Sequence, residues 1–286
     1  MASNSYFDHD VEDNVGVAMR INSLLNAKKS KPSSIGSISP YTPIKYNSVN
    51  VAIGRRSFGK TFVFNEEFIR IARDSPRTHL LVRVIKDKNV IDPTFEQQKE
   101  FIDLPIEYVS VDDVDDYIKT LIKFKNYYEQ IIEQGKVELV MNDYPDVMEQ
   151  IETVLHVDNF NIQGLHTLIS IDDAVNAKIL QPKSYITSLL SENRQPRLSF
   201  FISVQFWKGI IPSIKPNINC IFLFGTYSRQ QIGYILQQIP IPMTFNQFMD
   251  EYKTLQRHYD DDGNFIGSDY IIFDCDTGQM KVKRVN

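Results

Sequence analysis

One short segment constrains this chain more than any other feature of its sequence. GRRSFGKT, from Gly54 to Thr61, fills every fixed position of the pattern G-x-x-x-x-G-K-[ST]. It follows an apolar run, YNSVNVAI, that is typical of a short strand, and it precedes a segment whose apolar residues have helical spacing. A chance match in a chain of this length is expected about 1% of the time. The segment therefore predicts a phosphate-binding loop between a strand and a helix.

Each fixed position of this loop has a physical task. Gly54 and Gly59 allow a tight turn that brings backbone N–H groups close to phosphate oxygens. Lys60 neutralises the charge of the β- and γ-phosphates, and the Thr61 hydroxyl ligates Mg²⁺. ATP and Mg²⁺ are therefore the expected ligands.

The variable positions of the loop are also expected to line the nucleotide site. Ser57 stands where a glycine with positive φ is frequent, and Phe58 is bulky for its position. Arg55 and Arg56 add two positive charges beside the phosphates. They either help to hold the nucleotide, face a neighbouring subunit, or are solvated loop residues.

Two later strand ends carry polar side chains that suit the same chemistry. The run LISIDD ends in Asp172 and Asp173. Asp172 is expected to hold Mg²⁺ through water, and Asp173 to orient or deprotonate the attacking water; the alternative is that the pair caps the next helix. The next run, LSFFISVQ, ends in Gln205, which is placed to sense the γ-phosphate. Its alternative is an ordinary glutamine in a loop at the edge of the core.

From residue 46 onwards, apolar runs alternate with segments of helical spacing. Three of the runs, 165–171, 198–204 and 218–224, lack polar alternation, as strands buried on both faces of a parallel sheet do. The sequence therefore predicts an α/β fold with a mostly parallel central sheet covered by helices.

The chain divides into three parts by composition. Residues 1–45 are predicted to be a flexible arm because they end in a Ser/Pro-rich linker, SKPSSIGSISPYTPI. Residues 46–243 form the predicted core. Residues 244–286 are predicted to add a helix and a short β-hairpin with strands near 268–274 and 279–285, and 258–269 is expected to be a turn.

Composition excludes some classes of protein. The chain has 286 residues, with 36 acidic and 31 basic ones, giving a net charge of −5. It therefore does not hold nucleic acid by overall positive charge. The polar N-terminal segment differs from a signal peptide, and no apolar stretch approaches the ~18 residues of a membrane span. We expect a soluble intracellular protein whose two cysteines, Cys220 and Cys275, are small core residues.

The order of these motifs resembles the DNA-packaging ATPases of poxviruses, other large DNA viruses and virophages, within the FtsK–HerA superfamily of P-loop ATPases. The resemblance covers roughly residues 47–240. It rests on GRRSFGKT, on SIDDA, and on RQPRLSFFISVQFWKGIIPSIKPNINCIFLFGTYSRQQIGYIL. Arg194 and Gln205 match the family pattern, whereas Gln195 stands where a His is usual and Lys215 where an Arg is common.

The resemblance implies a P-loop ATPase core with an additional strand between the P-loop strand and the Walker B strand. It implies a homo-oligomeric ring, often a hexamer, that translocates double-stranded DNA into a preformed capsid and contacts a capsid or portal-like vertex component. The location it implies is the host cytoplasm at the virus factory, with some copies in the virion.

The resemblance also implies roles for individual residues. Lys60 and Thr61 would bind phosphate and Mg²⁺, Asp172 the metal and Asp173 the water, while Gln205 would sense the γ-phosphate. Arg194 becomes a candidate arginine finger acting across a subunit boundary; its alternative is a surface arginine that follows a helix.

Two other functions stay open on the sequence. The first is a related extrusion or assembly ATPase that acts on a protein or on another polymer. The second is a nucleotide-binding scaffold protein with little turnover, which the departures at Ser57, Phe58 and Gln195 favour.

Overall fold

The computed structural model describes residues 44–74, 78–86, 95, 99, 102, 106–134, 166–172, 180–182, 184–194, 196–225, 227–239 and 241–284. The N-terminal arm predicted for 1–45 lies outside these residues except for its last two, and so do Asp173 and Gln195.

Up to residue 252, strands and helices mostly alternate, as the sequence predicts. The strands are β1 (Val49–Ile53), β2 (Thr78–Ile85), β3 (Ile106–Ser110), β4 (His166–Ile171), β5 (Leu198–Val204), β6 (Cys220–Phe224), β7 (Arg257–Tyr259), β8 (Phe265–Ser268), β9 (Tyr270–Asp274) and β10 (Gln279–Lys283). The helices are α1 (Lys60–Asp74), α2 (Val114–Gln134), α3 (Tyr185–Glu192), α4 (Arg229–Leu236) and α5 (Phe245–Tyr252), with 3₁₀ turns at Trp207–Gly209 and Lys215–Asn217. None of the described helices is long and apolar enough to cross a membrane.

The central sheet has eight strands in the order β10-β9-β6-β1-β5-β4-β2-β3. In this order, each pair of neighbours from β6 through to β3 is parallel. β9 pairs antiparallel with β6, and β10 pairs antiparallel with β9. β5 lies between β1 and β4, so an additional strand separates the P-loop strand from the strand that ends at the acidic pair. The predicted fold class, a mostly parallel sheet with a C-terminal hairpin, is confirmed.

Hydrophobic cores lie on both faces of this sheet. α1 packs on one face, where Phe64 and Phe68 meet Phe201 of β5 edge to face, and the other described helices cover the opposite face. β1, β4, β5 and β6 are buried along their whole length, which explains their unbroken apolar sequence. Burial raises the pKa of Cys275 to about 12 and raises that of Cys220, so both remain protonated thiols.

The segment that follows α5 differs from the sequence prediction. The expected turn at 258–269 is wrong in part, because β7 and β8 form a two-stranded antiparallel ribbon there. Strands of three and four residues, joined by a turn in which Asp260 accepts hydrogen bonds from Asn264, are too short to produce a periodic pattern. This ribbon places side chains beside the phosphate-binding loop.

Candidate nucleotide-binding site

The predicted loop joins the carboxyl end of β1 to the first residue of α1. The backbone N–H of Gly54 donates to the Val204 carbonyl at the end of β5 (3.1 Å), which fixes the start of the loop against the neighbouring strand. A Cβ on residue 54 would lie 3.0 Å from the Cβ of Phe224 in β6. Because Gly54 is wedged between β5 and β6, a side chain there would push the strand ends apart.

The loop reaches its shape despite its unusual residues. Ser57 has φ of 60° and Gly59 has φ of 83°. A non-glycine residue in this left-handed region costs about 1–2 kcal/mol, so Ser57 stores strain without changing the path of the chain. The departure at Ser57 therefore leaves the geometry of the phosphate-binding loop intact.

The lysine at the fixed position of the motif lies over the loop. Lys60 is 8% exposed, and its Nζ donates to the carbonyl oxygens of Gly54 (2.7 Å) and Arg55 (2.9 Å). Arg55, Arg56 and Ser57 are exposed. The ammonium group is thus held at the mouth of the loop, where phosphate oxygens can replace the carbonyls as its partners.

The residue after Lys60 reaches the strand that carries the predicted acid. The Thr61 hydroxyl donates to Oδ2 of Asp172 at 2.7 Å. The hydroxyl of Ser203, from β5 between the two, donates to Oδ1 of the same carboxylate. The loop, the acid and the intervening strand therefore meet at one point.

The fold is that of a P-loop NTPase of the additional-strand type.

The donors gathered at Asp172 fit a small hard cation. The Asp172 carboxylate and the Thr61 hydroxyl are oxygen ligands of the kind Mg²⁺ prefers, and Mg²⁺ usually keeps several waters beside such ligands. Thr61 and Asp172 are the residues that would hold the ion, and Ser203 would orient the carboxylate. When bound, Mg²⁺ neutralises charge on the terminal phosphates.

Gln205 follows directly on the end of β5. Val204 pairs with Ile53 of β1, so Gln205 lies next to the first residues of the loop. The Tyr227 hydroxyl donates to the Gln205 backbone carbonyl, which anchors this strand end to the segment after β6. The half-buried position at the carboxyl edge of the sheet is compatible with the predicted sensor role, which stays a prediction.

Arg194 lies at the amino-terminal ends of the parallel strands, opposite the loop. It precedes β5, and the seven residues of that strand separate its two ends by about 20 Å. Burial tends to raise the pKa of Asp276 there, but hydrogen bonds from Lys45 and Asn219 and the charges of Lys45 and Arg194 outweigh burial and lower it. The structure therefore keeps Arg194 away from the P-loop of its own chain, and action across a subunit boundary stays a prediction.

Two features of the site were missed by the sequence reasoning. Ser203 looks like a filler in the apolar run LSFFISVQ, although its position two residues before Gln205 places both on the same side of an extended chain. The second feature is the β7–β8 ribbon, whose Phe265 ring would lie 3.1 Å from a Cβ added at Gly59. No periodic signal pointed to it.

Comparison with known proteins gives similarity in solved structures only. No protein-family model matches the chain, and no curated protein matches its sequence. The genome packaging NTPase B204 from Sulfolobus turreted icosahedral virus 2, in complex with ATP-gammaS, is 14% identical, with a TM-score of 0.49 over 83% of this chain and 97% of that chain. The cytoplasmic domain of the type VII secretion ATPase EccC of Thermomonospora curvata is 12% identical, with a TM-score of 0.47 over 88% of this chain and 26% of that chain. The pCW3 conjugation coupling protein TcpA is 13% identical, with a TM-score of 0.43 over 67% of this chain and 53% of that chain. At these values the likeness does not say what this chain acts on.

The contact between Ser203 and Asp172 gives a prediction about the metal. Ser203→Ala removes a hydrogen bond that orients the carboxylate, so the affinity for Mn²⁺ in the presence of a non-hydrolysable ATP analogue should fall about 10–100-fold. Paramagnetic resonance of free Mn²⁺ measures this affinity.

The matched control is Ser199→Ala, in the same strand and on the same side. Its hydroxyl is hydrogen-bonded to His166 at the opposite edge of the sheet (2.9 Å), so the variant should bind Mn²⁺ as the wild type does. Equal Mn²⁺ affinity in the wild type and both variants would show that Ser203 does not orient the metal ligand.

Proposed function

We propose that this chain is an ATP-hydrolysing DNA translocase that packages viral genomic DNA into a preformed capsid. The observation that carries the ATPase part is the hydrogen bond between Thr61 and Asp172, because it brings the phosphate loop and the strand acid to one point across β5. The residues proposed to bind the phosphates and Mg²⁺ then lie together at the carboxyl-terminal ends of neighbouring strands. DNA as substrate rests on the motif order that resembles packaging ATPases and on one surface patch.

In this proposal, a few residues share the work of hydrolysis. Lys60 binds the β- and γ-phosphates, and the backbone of Gly54 to Gly59 encloses them. Asp173, next to the metal-holding Asp172, orients the attacking water and takes up its proton. Gln205 contacts the water or the γ-phosphate and changes its contacts when the phosphate leaves.

A patch of lysines and aromatic rings begins at the residue after Gln205. We define the Lys208 patch as Phe206, Lys208, Lys215 and Tyr234. Phe206 is 45% and Tyr234 39% exposed, and Nζ of Lys208 and of Lys215 lie 5.3 and 5.7 Å from the centroid of the Tyr234 ring. The ammonium groups of the two lysines suit the phosphates of a nucleic-acid backbone.

The patch also offers a route from hydrolysis to movement. Phe206 is the residue after the proposed γ-phosphate sensor, so a shift of Gln205 displaces the first residue of the patch. In a homo-oligomeric ring, each subunit would present this patch to DNA in turn. An acidic chain of net charge −5 is compatible with this arrangement, because only the channel surface needs positive charge.

Assembly and location belong to the same proposal. Arg194, exposed at the edge of the sheet away from the P-loop, would contact the nucleotide of a neighbouring subunit. The ring would act on double-stranded DNA at a capsid or portal-like vertex, in the host cytoplasm at the virus factory.

The first test is turnover. We expect the purified protein to hydrolyse ATP. Lys60→Ala should lose ATP binding and turnover, and Asp173→Asn should retain ATP while kcat falls about 10²–10⁴-fold, because only proton transfer and water positioning are lost. Single-turnover hydrolysis and equilibrium binding of ATP separate the two effects. Asp250→Asn, an exposed acid on α5, is the control and should behave as the wild type.

Full activity in both variants would refute the assignment of the site. Binding of ATP by the wild type without measurable hydrolysis would instead favour the nucleotide-binding scaffold.

The second test is the substrate. Double-stranded DNA should stimulate the ATPase, and Lys208→Ala should reduce that stimulation several-fold while basal hydrolysis stays unchanged, because a phosphate contact is lost outside the nucleotide site. The DNA concentration for half-maximal stimulation, measured at two salt concentrations, reports the effect. Lys253→Ala, an exposed lysine at the end of α5, is the matched control.

Absence of DNA stimulation, together with stimulation by a capsid or membrane protein, would favour the related extrusion or assembly ATPase. A strictly monomeric protein under all nucleotide conditions would contradict the ring.

A further inference from the structure

The order of the strands determines on which side of the loop a nucleotide base must lie. β1 has β5 on one side and β6 on the other. Asp172 and Gln205, the residues proposed to act at the γ-phosphate end, belong to the β4 and β5 side. The other end of a nucleotide bound to the loop therefore extends toward β6.

The β7–β8 ribbon lies at that side of the loop. The chain before it packs on the end of β6, where a Cβ added at Gly225 would lie 2.8 Å from the Cβ of Leu255. Farther along, the Phe265 ring abuts Gly59, and the guanidinium of Arg257 lies 5.0 Å from the centroid of the Phe58 ring. The ribbon thus contacts the loop itself.

The ribbon presents aromatic rings to solvent at this place. Tyr259 and Phe265 are cross-strand partners, with ring centroids 6.1 Å apart and planes at 72°. Arg257 lies 5.2 Å from each of these two ring centroids. Tyr259 is 49% and Phe265 36% exposed, so both leave ring surface uncovered on the ribbon that contacts the loop.

A buried carboxylate holds the ribbon in place. Asp269, 3% exposed, is hydrogen-bonded to the His258 ring (2.8 Å) and accepts from Arg284 (3.0 Å) and from the Gln256 backbone N–H (3.2 Å). These bonds tie β7, the end of β8 and the residue after β10 together. The rings are therefore positioned before any ligand arrives, which reduces the entropy lost on binding.

We propose that the β7–β8 ribbon is the base-binding wall of the nucleotide site, with the Tyr259 ring, supported by Phe265, packing against the base of ATP. Arg257 is a positioning residue that holds the ring pair against Phe58 of the loop. An aromatic face packs on any base, so the wall adds affinity for a nucleoside triphosphate over a bare polyphosphate. This inference rests on the proposed binding of ATP to Gly54–Thr61.

The test compares two ligands that share the phosphates and differ in the base. Isothermal titration with Mg²⁺ measures the affinity for a non-hydrolysable ATP analogue and for inorganic tripolyphosphate. In Tyr259→Ala the affinity for the ATP analogue should fall at least about fivefold, or about 1 kcal/mol. The affinity for tripolyphosphate should stay unchanged, because the loop is intact.

Two matched variants separate the ring from the fold of the ribbon. Tyr259→Phe retains the ring and should bind the ATP analogue as the wild type does. Ile266→Ala removes a similarly exposed side chain (44%) from the neighbouring position of β8 and should have no effect on either ligand.

Each other outcome overturns the inference. Unchanged affinity for the ATP analogue in Tyr259→Ala, or an equal loss for both ligands, would mean that the ribbon does not bind the base. A wild-type protein that binds tripolyphosphate but gains nothing from the base would remove this inference and leave the phosphate site standing. A wild-type protein that binds neither ligand would overturn the proposed function together with it.

Discussion

The hydrogen bond from Thr61 to Asp172 joins the two halves of this site. Thr61 belongs to the helix that follows the phosphate loop, and Asp172 to the end of a strand that is not the neighbour of β1 in the sheet. Because β5 lies between β1 and β4, the two meet only when β5 pairs with both strands in the right register. Val204 opposite Ile53, and Ile171 opposite Ile202, provide that register. Topology, rather than local sequence, thus positions the proposed metal ligands.

β5 also contributes residues to the site. Its Ser203 hydroxyl donates to the Asp172 carboxylate, and Gln205 follows the strand at the same carboxyl-terminal end. The next residues form the exposed Lys208 patch, and the Tyr227 hydroxyl holds the Gln205 carbonyl. In the proposed function, a change at the γ-phosphate would be transmitted along this strand end to the proposed DNA-binding patch.

Some parts of the fold and of the candidate site were predictable from the sequence, and others were not. Gly54 to Thr61 and the strands around it follow from fixed motif positions and unbroken apolar runs, which are local signals. Arg194 precedes β5, so the parallel order of strands alone would have placed it at the edge opposite the loop. Ser203 and the β7–β8 ribbon depend on contacts between distant segments. No local pattern encodes the meeting of Phe265 with Gly59, because it follows from how the C-terminal extension packs on β6.

A crystal structure of the protein with Mn²⁺ and a non-hydrolysable ATP analogue, with the metal located by its anomalous scattering, tests this site directly. The contact between Thr61 and Asp172 predicts the triphosphate enclosed by Gly54 to Thr61 and the metal at the Thr61 hydroxyl, with Asp172 holding it directly or through one water. Triphosphate bound away from this loop, or a metal without contact to either residue, would contradict it.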